Sequence, residues 1–417
     1  MLTPFIPLGA RICERVEALA AVSSEAGAIT RAFLSPEHRR AAEMVLGWMV
    51  EAGMDARIDA IGNVCGRYEG RMTGAPAILL GSHLDTVRNA GRWDGALGIV
   101  AAIECVAKLD AGGVRLPRAI EIVGFCDDEG GRFGGFSPGS RAFAGEFDPA
   151  TLARRDAAGV SMAEALRAAG LDPARIAEAR RAPGEFVAAL ELRIERGPAL
   201  EAWDLPVGCV TAVCGATRLS LTLAGLAGDA GAVPMDQRVD ALAGAAACIL
   251  AVEQAATASR GLVATVGQIA VEPGGADRIP SHVAFTVDAR APQDAQRLSA
   301  LRRIEESVVA IASTRGLGVS IVREHDQPAS PCSRNIQDRI DGAIASLGYE
   351  PLRLACGAAP HAAIMSRLAP IGMIFVRCRD GVSRSPAEHV APADVEAGAQ
   401  TLLEALRSFD AAPDVLD

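Results

Sequence analysis

The side chains with the most chemical capacity gather in a few short stretches. The first is Gly81-Ser82-His83-Leu84-Asp85-Thr86-Val87, followed shortly by Gly91-Arg92-Trp93-Asp94-Gly95. The second is Cys126-Asp127-Asp128-Glu129-Gly130. The His83 and Cys126 stretches each close an apolar run of strand character, and the ends of such strands are where open α/β sheets place ligands. Three successive acids beyond a buried strand are costly unless a cation or solvent meets them. A histidine with several carboxylates suits a divalent metal such as zinc or manganese. It suits helix capping and turn roles as well, and spacing alone leaves both readings open.

Other reactive side chains are few. Histidine occurs only at 38, 83, 282, 325, 361 and 389. His38, His282 and His325 are expected at the surface, and His361 either faces the acidic stretch or caps a surface turn. None of the ten cysteines forms a CxxC pair, and most sit in apolar runs. Buried thiols in a reducing cytoplasm are the simplest reading. Cys126 and Cys356 could serve as nucleophiles, although an inert buried thiol is the commoner case. Arg92 and Arg132 flank the acids and are expected to pair with them.

The pattern around these residues specifies what must hold them. Helical spacing marks 39–53 and 98–109, and short apolar strands mark 77–81, 119–126 and 186–194. Helical surface is expected over 161–181. Strands separated by helices predict an α/β fold, a mixed sheet with helices on both faces. From about 213 the order becomes strand 218–224, helix 235–257, strands 262–270 and 282–289, helix 295–314 and strand 317–323. That is the β-α-β-β-α-β order of a ferredoxin-like α+β unit. The first domain then resumes with a helix at 335–347, a strand at 371–376 and a helix at 393–409. The expected division is 1–212 and 327–417 for the main domain, with 213–326 as an insertion.

Composition removes several function classes. A net charge of −10 with scattered Lys and Arg argues against nucleic acid or an anionic membrane as partner. No apolar run reaches the roughly 18 residues of a membrane span, and Arg11, Glu14 and Arg15 interrupt any signal-peptide pattern.

Taken in order, the segments resemble bacterial N-carbamoyl-L-amino-acid amidohydrolases and allantoate amidohydrolases of the zinc aminoacylase and carboxypeptidase clan. The resemblance runs from Ile29 to about Leu406. It rests on Gly62-Asn63-Val64, the His83 and Asp94 segments, Glu129-Gly130-Gly131-Arg132-Phe133-Gly134, Ile194-Glu195 and Gly197-Pro198. It continues through Gly228, Ala230-Gly231, Pro234-Met235, Ile279-Pro280, Asp288-Ala289-Arg290, Cys378-Arg379-Asp380-Gly381 and Ser385-Pro386. It implies that His83 and Glu129 each ligate one of two metals, that Asp94 bridges them, and that Asp85 orients His83. It also puts the general base at Asp128, a substrate-carboxylate site at Arg290, and a homodimer formed through the inserted domain.

The chain departs from that pattern at several polar positions. Arginine stands at 193 and 384, where the family has histidine ligands, and arginine cannot ligate zinc because it stays protonated. The family's glutamine, small-domain histidine and small-domain asparagine become Arg196, Asp229 and Asp277, which with Arg290 and His361 are the expected substrate-binding groups, beside Asp85, Asp128, Arg193 and Arg384 as the expected catalytic ones. Its Gly-His-Asp becomes Ala359-Pro360-His361, and its base is shortened to Asp128. His389 lies too far along the chain to take over the ligand position at 384. Arg193 and Arg384 would replace metal charge with guanidinium charge, so no dinuclear centre is expected, only one divalent metal (zinc or manganese) or none. The expected activity is that of an amidohydrolase-type enzyme acting on a C–N bond of a small carboxylated amide or ureido compound. A metal-free enzyme with diverged, non-hydrolytic chemistry and a non-catalytic binding homologue stand as alternatives.

Overall fold

The computed structural model describes residues 7–134 and 137–409. The chain forms two compact units. One comprises the chain up to Thr211 and from Cys332 onward, the other Ala212–Pro331. The insertion runs past residue 326 for a structural reason. Its last long strand extends to Gln327, and Ser330 and Pro331 then pair antiparallel with Val213 and Ala212.

The first unit is built on four parallel strands, in the spatial order Ile120–Phe125, Ala77–His83, Phe186–Ile194, Ile371–Val376. Antiparallel strands Val64–Tyr68 and Val207–Val213 flank them, so the sheet is mixed. The parallel strands are almost wholly buried, as expected of strands covered on both faces. Helices Leu8–Ala20, Ala96–Ala111 and Pro392–Ser408 put Ile12, Val16, Ile103, Val395 and Leu402 into one core with Ile78, Leu80, Leu190 and Leu192. The shorter helices Pro138–Phe143 and Pro360–Met365 cover the other face.

The second unit is a sheet ordered Ile269–Glu272, His282–Ala291, Gly215–Ala224, Gly318–Gln327, with Val263–Thr265 also pairing to His282–Ala291. Helices Ala241–Thr257 and Asp294–Thr314 bury Ala245, Cys248, Leu301 and Ile304 against Leu219, Leu221, Phe285 and Val287.

Three elements differ from the sequence-based expectation. Residues 161–181 are not one helix. Gly170, at φ 81°, ends the helix Met162–Ala168, and a 3-10 turn Pro173–Ala179 follows. The strand expected over 262–270 is interrupted around Gly267, where no side chain can pack. The helix expected from 235 starts at Ala241, because the Asp240 carboxylate caps the N–H groups of Leu242 and Ala243. Among the described residues no helix is long and apolar enough to cross a membrane.

Candidate active site

The polar cluster of the first unit sits at the carboxyl ends of its parallel strands. His83 ends one strand, and Cys126–Glu129 follow the next. Asp94 precedes the helix Ala96–Ala111, whose N-cap is Gly95 at φ 75°. A Cβ at Gly95 would stand 2.6 Å from the His83 ring, so only glycine lets the helix start this close to the histidine. In Phe186–Ile194 the period of two places Glu191 and Arg193 on one face, the face covered by the helix carrying His361.

Donor atoms of His83, Asp94 and Glu129 lie within 4.8 Å of one another. Their remaining contacts are with cations of the protein itself. Arg196 Nη2 donates to Asp94 Oδ2 and lies 3.5 Å from Glu129 Oε1. Arg384 Nη2 lies 2.6 Å from Glu129 Oε2, and Arg193 Nη2 lies 3.7 Å from Asp94 Oδ1. Burial works against the Asp94 carboxylate, but Arg196, His83, Arg193 and Arg384 outweigh it and hold its pKa below the usual range. Asp85 accepts the backbone N–H groups of Asp128 and Glu129, each at 3.0 Å. His83 Nδ1 therefore meets the Asp85 backbone carbonyl at 3.0 Å and not its carboxylate, 3.8 Å away. Burial pushes Asp85 up to about 6 and, with the charges of Asp85 and Asp128, pushes Asp127 up to about 8.

His361 is 1% exposed and lies between two acids. Its Nδ1 is 2.9 Å from Asp128 Oδ2 and its Nε2 is 2.9 Å from Glu191 Oε1. Burial opposes a charged ring here, yet Glu191 and Asp128 outweigh it and raise His361 to about 10. The other Asp128 oxygen accepts from Ser137 Oγ at 2.9 Å. His361, His83 and Ser137 hold Asp128 well below the usual range against its burial. Asp128 is thus engaged at both oxygens and held as a weak base, and both nitrogens of His361 face acids.

Other expected site residues have partners of their own. Arg290, Asp229 and Asp277 belong to the second unit. Arg290 Nε donates to Asp288 at 2.7 Å, and Asp229 caps the N–H groups of Gly231 and Ala232. Arg92 pairs with Glu17, and Arg132 with Asp156 at 3.0 Å, so neither joins the acids. His38 is buried, not superficial, while His282 is exposed and His325 and His389 are half-buried. Burial raises the thiol pKa of both Cys126 and Cys356, which removes the thiolate a nucleophile needs.

Two partners of the cluster escaped the sequence reading. Glu191 is a buried acid inside an apolar strand, two residues from Arg193, and that oddity was its signal. Glu388 is also buried. Its Oε1 accepts from Trp93 N at 2.6 Å, and its Oε2 accepts from Arg384 N at 3.2 Å. Nothing local in Ser385-Pro386-Ala387-Glu388 announces that role.

A two-metal centre does not fit these residues. Arg193 and Arg384 offer no lone pair, and every oxygen of Asp94 and Glu129 already faces a guanidinium.

Residues 79–408 match the model of peptidase family M20/M25/M40. An N-carbamoyl-L-amino acid amidohydrolase of Geobacillus stearothermophilus is 41% identical over 395 residues, covering 94% of this chain and 97% of that protein. An allantoate deiminase of Arabidopsis thaliana is 36% identical over 425 residues, covering 94% and 81%. A crystal structure of a hydantoinase/carbamoylase family amidase from Burkholderia multivorans superposes with a TM-score of 0.91 at 30% identity, covering 97% of this chain and 98% of that one.

Proposed function

The chain belongs to peptidase family M20/M25/M40, and from that premise we propose that it hydrolyses a C–N bond in a small carboxylated amide or ureido compound. The observation that carries this reading is the polar cluster around His83, Asp94 and Glu129. It stands at the carboxyl ends of parallel strands, in a chain that aligns nearly end to end with carbamoylases and allantoate deiminases.

Among the candidate catalytic side chains, Arg384 is 49% exposed, against 4% for Arg193 and Asp128 and 2% for Asp85. Arg384 is therefore the group that meets the substrate, polarising its carbonyl or binding its carboxylate. Arg193, Asp85 and Asp128 position it and its neighbours. The low basicity of Asp128 and the charged state of His361 favour a second reading, diverged chemistry or binding without turnover, because neither group readily takes a proton from water.

One assay separates these readings. The purified protein is incubated with a panel of N-carbamoyl-L-amino acids and allantoate, and ammonia and substrate loss are followed together. Hydrolysis releases ammonia, and Arg384→Ala lowers kcat by about 100-fold. Substrate loss without ammonia supports diverged chemistry. Calorimetric binding without loss supports a binding protein.

A further inference from the structure

We propose that the cluster of His83, Asp94 and Glu129 is closed to divalent cations altogether, a single ion included, because three guanidinium groups already surround the oxygens an ion would take. By position alone one ion would fit, since the donor atoms converge within 4.8 Å. Yet Arg196 bridges the two carboxylates, touching Asp94 Oδ2 and lying 3.5 Å from Glu129 Oε1. Arg384 takes Glu129 Oε2 at 2.6 Å, and Arg193 stands 3.7 Å from Asp94 Oδ1.

Charge points the same way. Two carboxylates face three guanidiniums that stay protonated, one of them shared with Glu191, so a dication would enter a cluster whose negative charge is already matched. The cavity beside these groups has a volume of about 10 Å³, room for about one water molecule. Arg384 and Arg196, at 49% and 24% exposure, have solvent to swing toward. Arg193 has none. It is 4% exposed and lies between Glu191, at 3.6 Å, and Asp94. If the two outer arginines withdrew, Arg193 would still weaken, without alone abolishing, the hold of Asp94 on an ion. Arginine at these positions therefore replaces the ion's charge from within the chain, and even the two oxygens without a hydrogen bond, Asp94 Oδ1 and Glu129 Oε2, lie within 3.7 Å of a guanidinium. This inference does not depend on the substrate, and its test reads metal and not turnover.

The experiment is metal analysis of the full chain equilibrated with excess zinc, and separately with manganese, then freed of unbound ion. Thermal unfolding is recorded with and without chelator. The expected result is less than one tenth of an equivalent of either metal and an unchanged Tm. One or more equivalents of bound metal, with a Tm lowered by chelator, would overturn the proposal. The double variant Arg193→His with Arg384→His should gain at least one equivalent of zinc and a chelator-sensitive Tm. If the buried change at 193 prevents folding, Arg196→Gln with Arg384→His replaces it and should raise zinc affinity at least tenfold. A folded variant with no gain in zinc would show that the guanidiniums are not what excludes the ion.

Discussion

Glu388 accepts the backbone N–H of Asp94 at 3.1 Å, so a carboxylate far along the chain fixes the turn that aims Asp94 into the cluster. Its other oxygen accepts from Arg384 N and Ser383 Oγ, each at 3.2 Å. Gly91 permits this approach, since a Cβ there would lie 2.2 Å from the Glu388 carboxyl carbon. Both oxygens act only as acceptors, so Glu388→Gln would turn an amide N–H₂ toward a donor. Urea unfolding of this variant should show a loss of about 1–3 kcal/mol. An unchanged midpoint would mean that the turn holds without residue 388.

His361 is the cation between two buried acids, and removing it leaves Asp128 and Glu191 facing each other without the charge that links them. His361→Phe should cost about 3–5 kcal/mol, the usual penalty for breaking a buried ion pair from one side. Adding Asp128→Asn and Glu191→Gln should recover part of that loss. Equal stability of the single and triple variants would show that packing, not charge, is what His361 supplies.

Much of the first unit was legible because its strands are apolar along their whole length and its helices carry apolar residues at helical spacing. Phe186–Ile194 is a strand over the whole predicted range for that reason. The convergence of His83, Asp94 and Glu129 is what chain order makes legible, since two of them close or follow adjacent strands and Asp94 opens the helix between those strands. The partners of those positions were not. Arg196 reads as a substrate group and sits on Asp94, while Arg92 reads as a partner of the acids and reaches Glu17 instead. A pairing between residues a hundred positions apart leaves no periodic trace in either segment. His38 reads as superficial because it lies among charged residues, yet its helix turns it against Phe33.

His38 also sets an acid sensitivity. Burial, then the charge of Arg31, pushes its pKa down to about 3, below the value of about 6.5 for an unfolded histidine. The fold thus favours the neutral ring. Its contribution is complete above about pH 6.5 and is lost as pH falls toward 3. Between pH 7 and pH 5 this one group should cost about 2 kcal/mol. In urea unfolding at the two pH values, His38→Phe should show a correspondingly smaller loss than the unsubstituted chain. Parallel losses would exclude His38 as the source.

The strand Gly318–Gln327 lies at the edge of the second unit's sheet, and its outer side pairs with no strand among the described residues. Val319 and Val322 are 37% and 49% exposed there. An unpaired edge with apolar side chains is a template for a second copy. Light scattering at micromolar concentration should give a dimer mass, and Val319→Lys with Val322→Lys should give a monomer with little change in Tm. A monomeric parent would remove this edge as an interface.

The antiparallel pairing of Ser330 with Val213, and of Pro331 with Ala212, means that the insertion leaves and rejoins the chain on neighbouring strands. Cys332 N continues the ladder to Thr211 O at 2.9 Å. The two crossing points are about one strand spacing apart, roughly 4.8 Å. A gap that small is what a two-residue hairpin turn closes. The insertion is therefore topologically a long hairpin loop that happens to contain a folded body. Lengthening, shortening or exchanging that body changes the closure entropy only logarithmically, so the main sheet is tolerant of what is grafted at this junction.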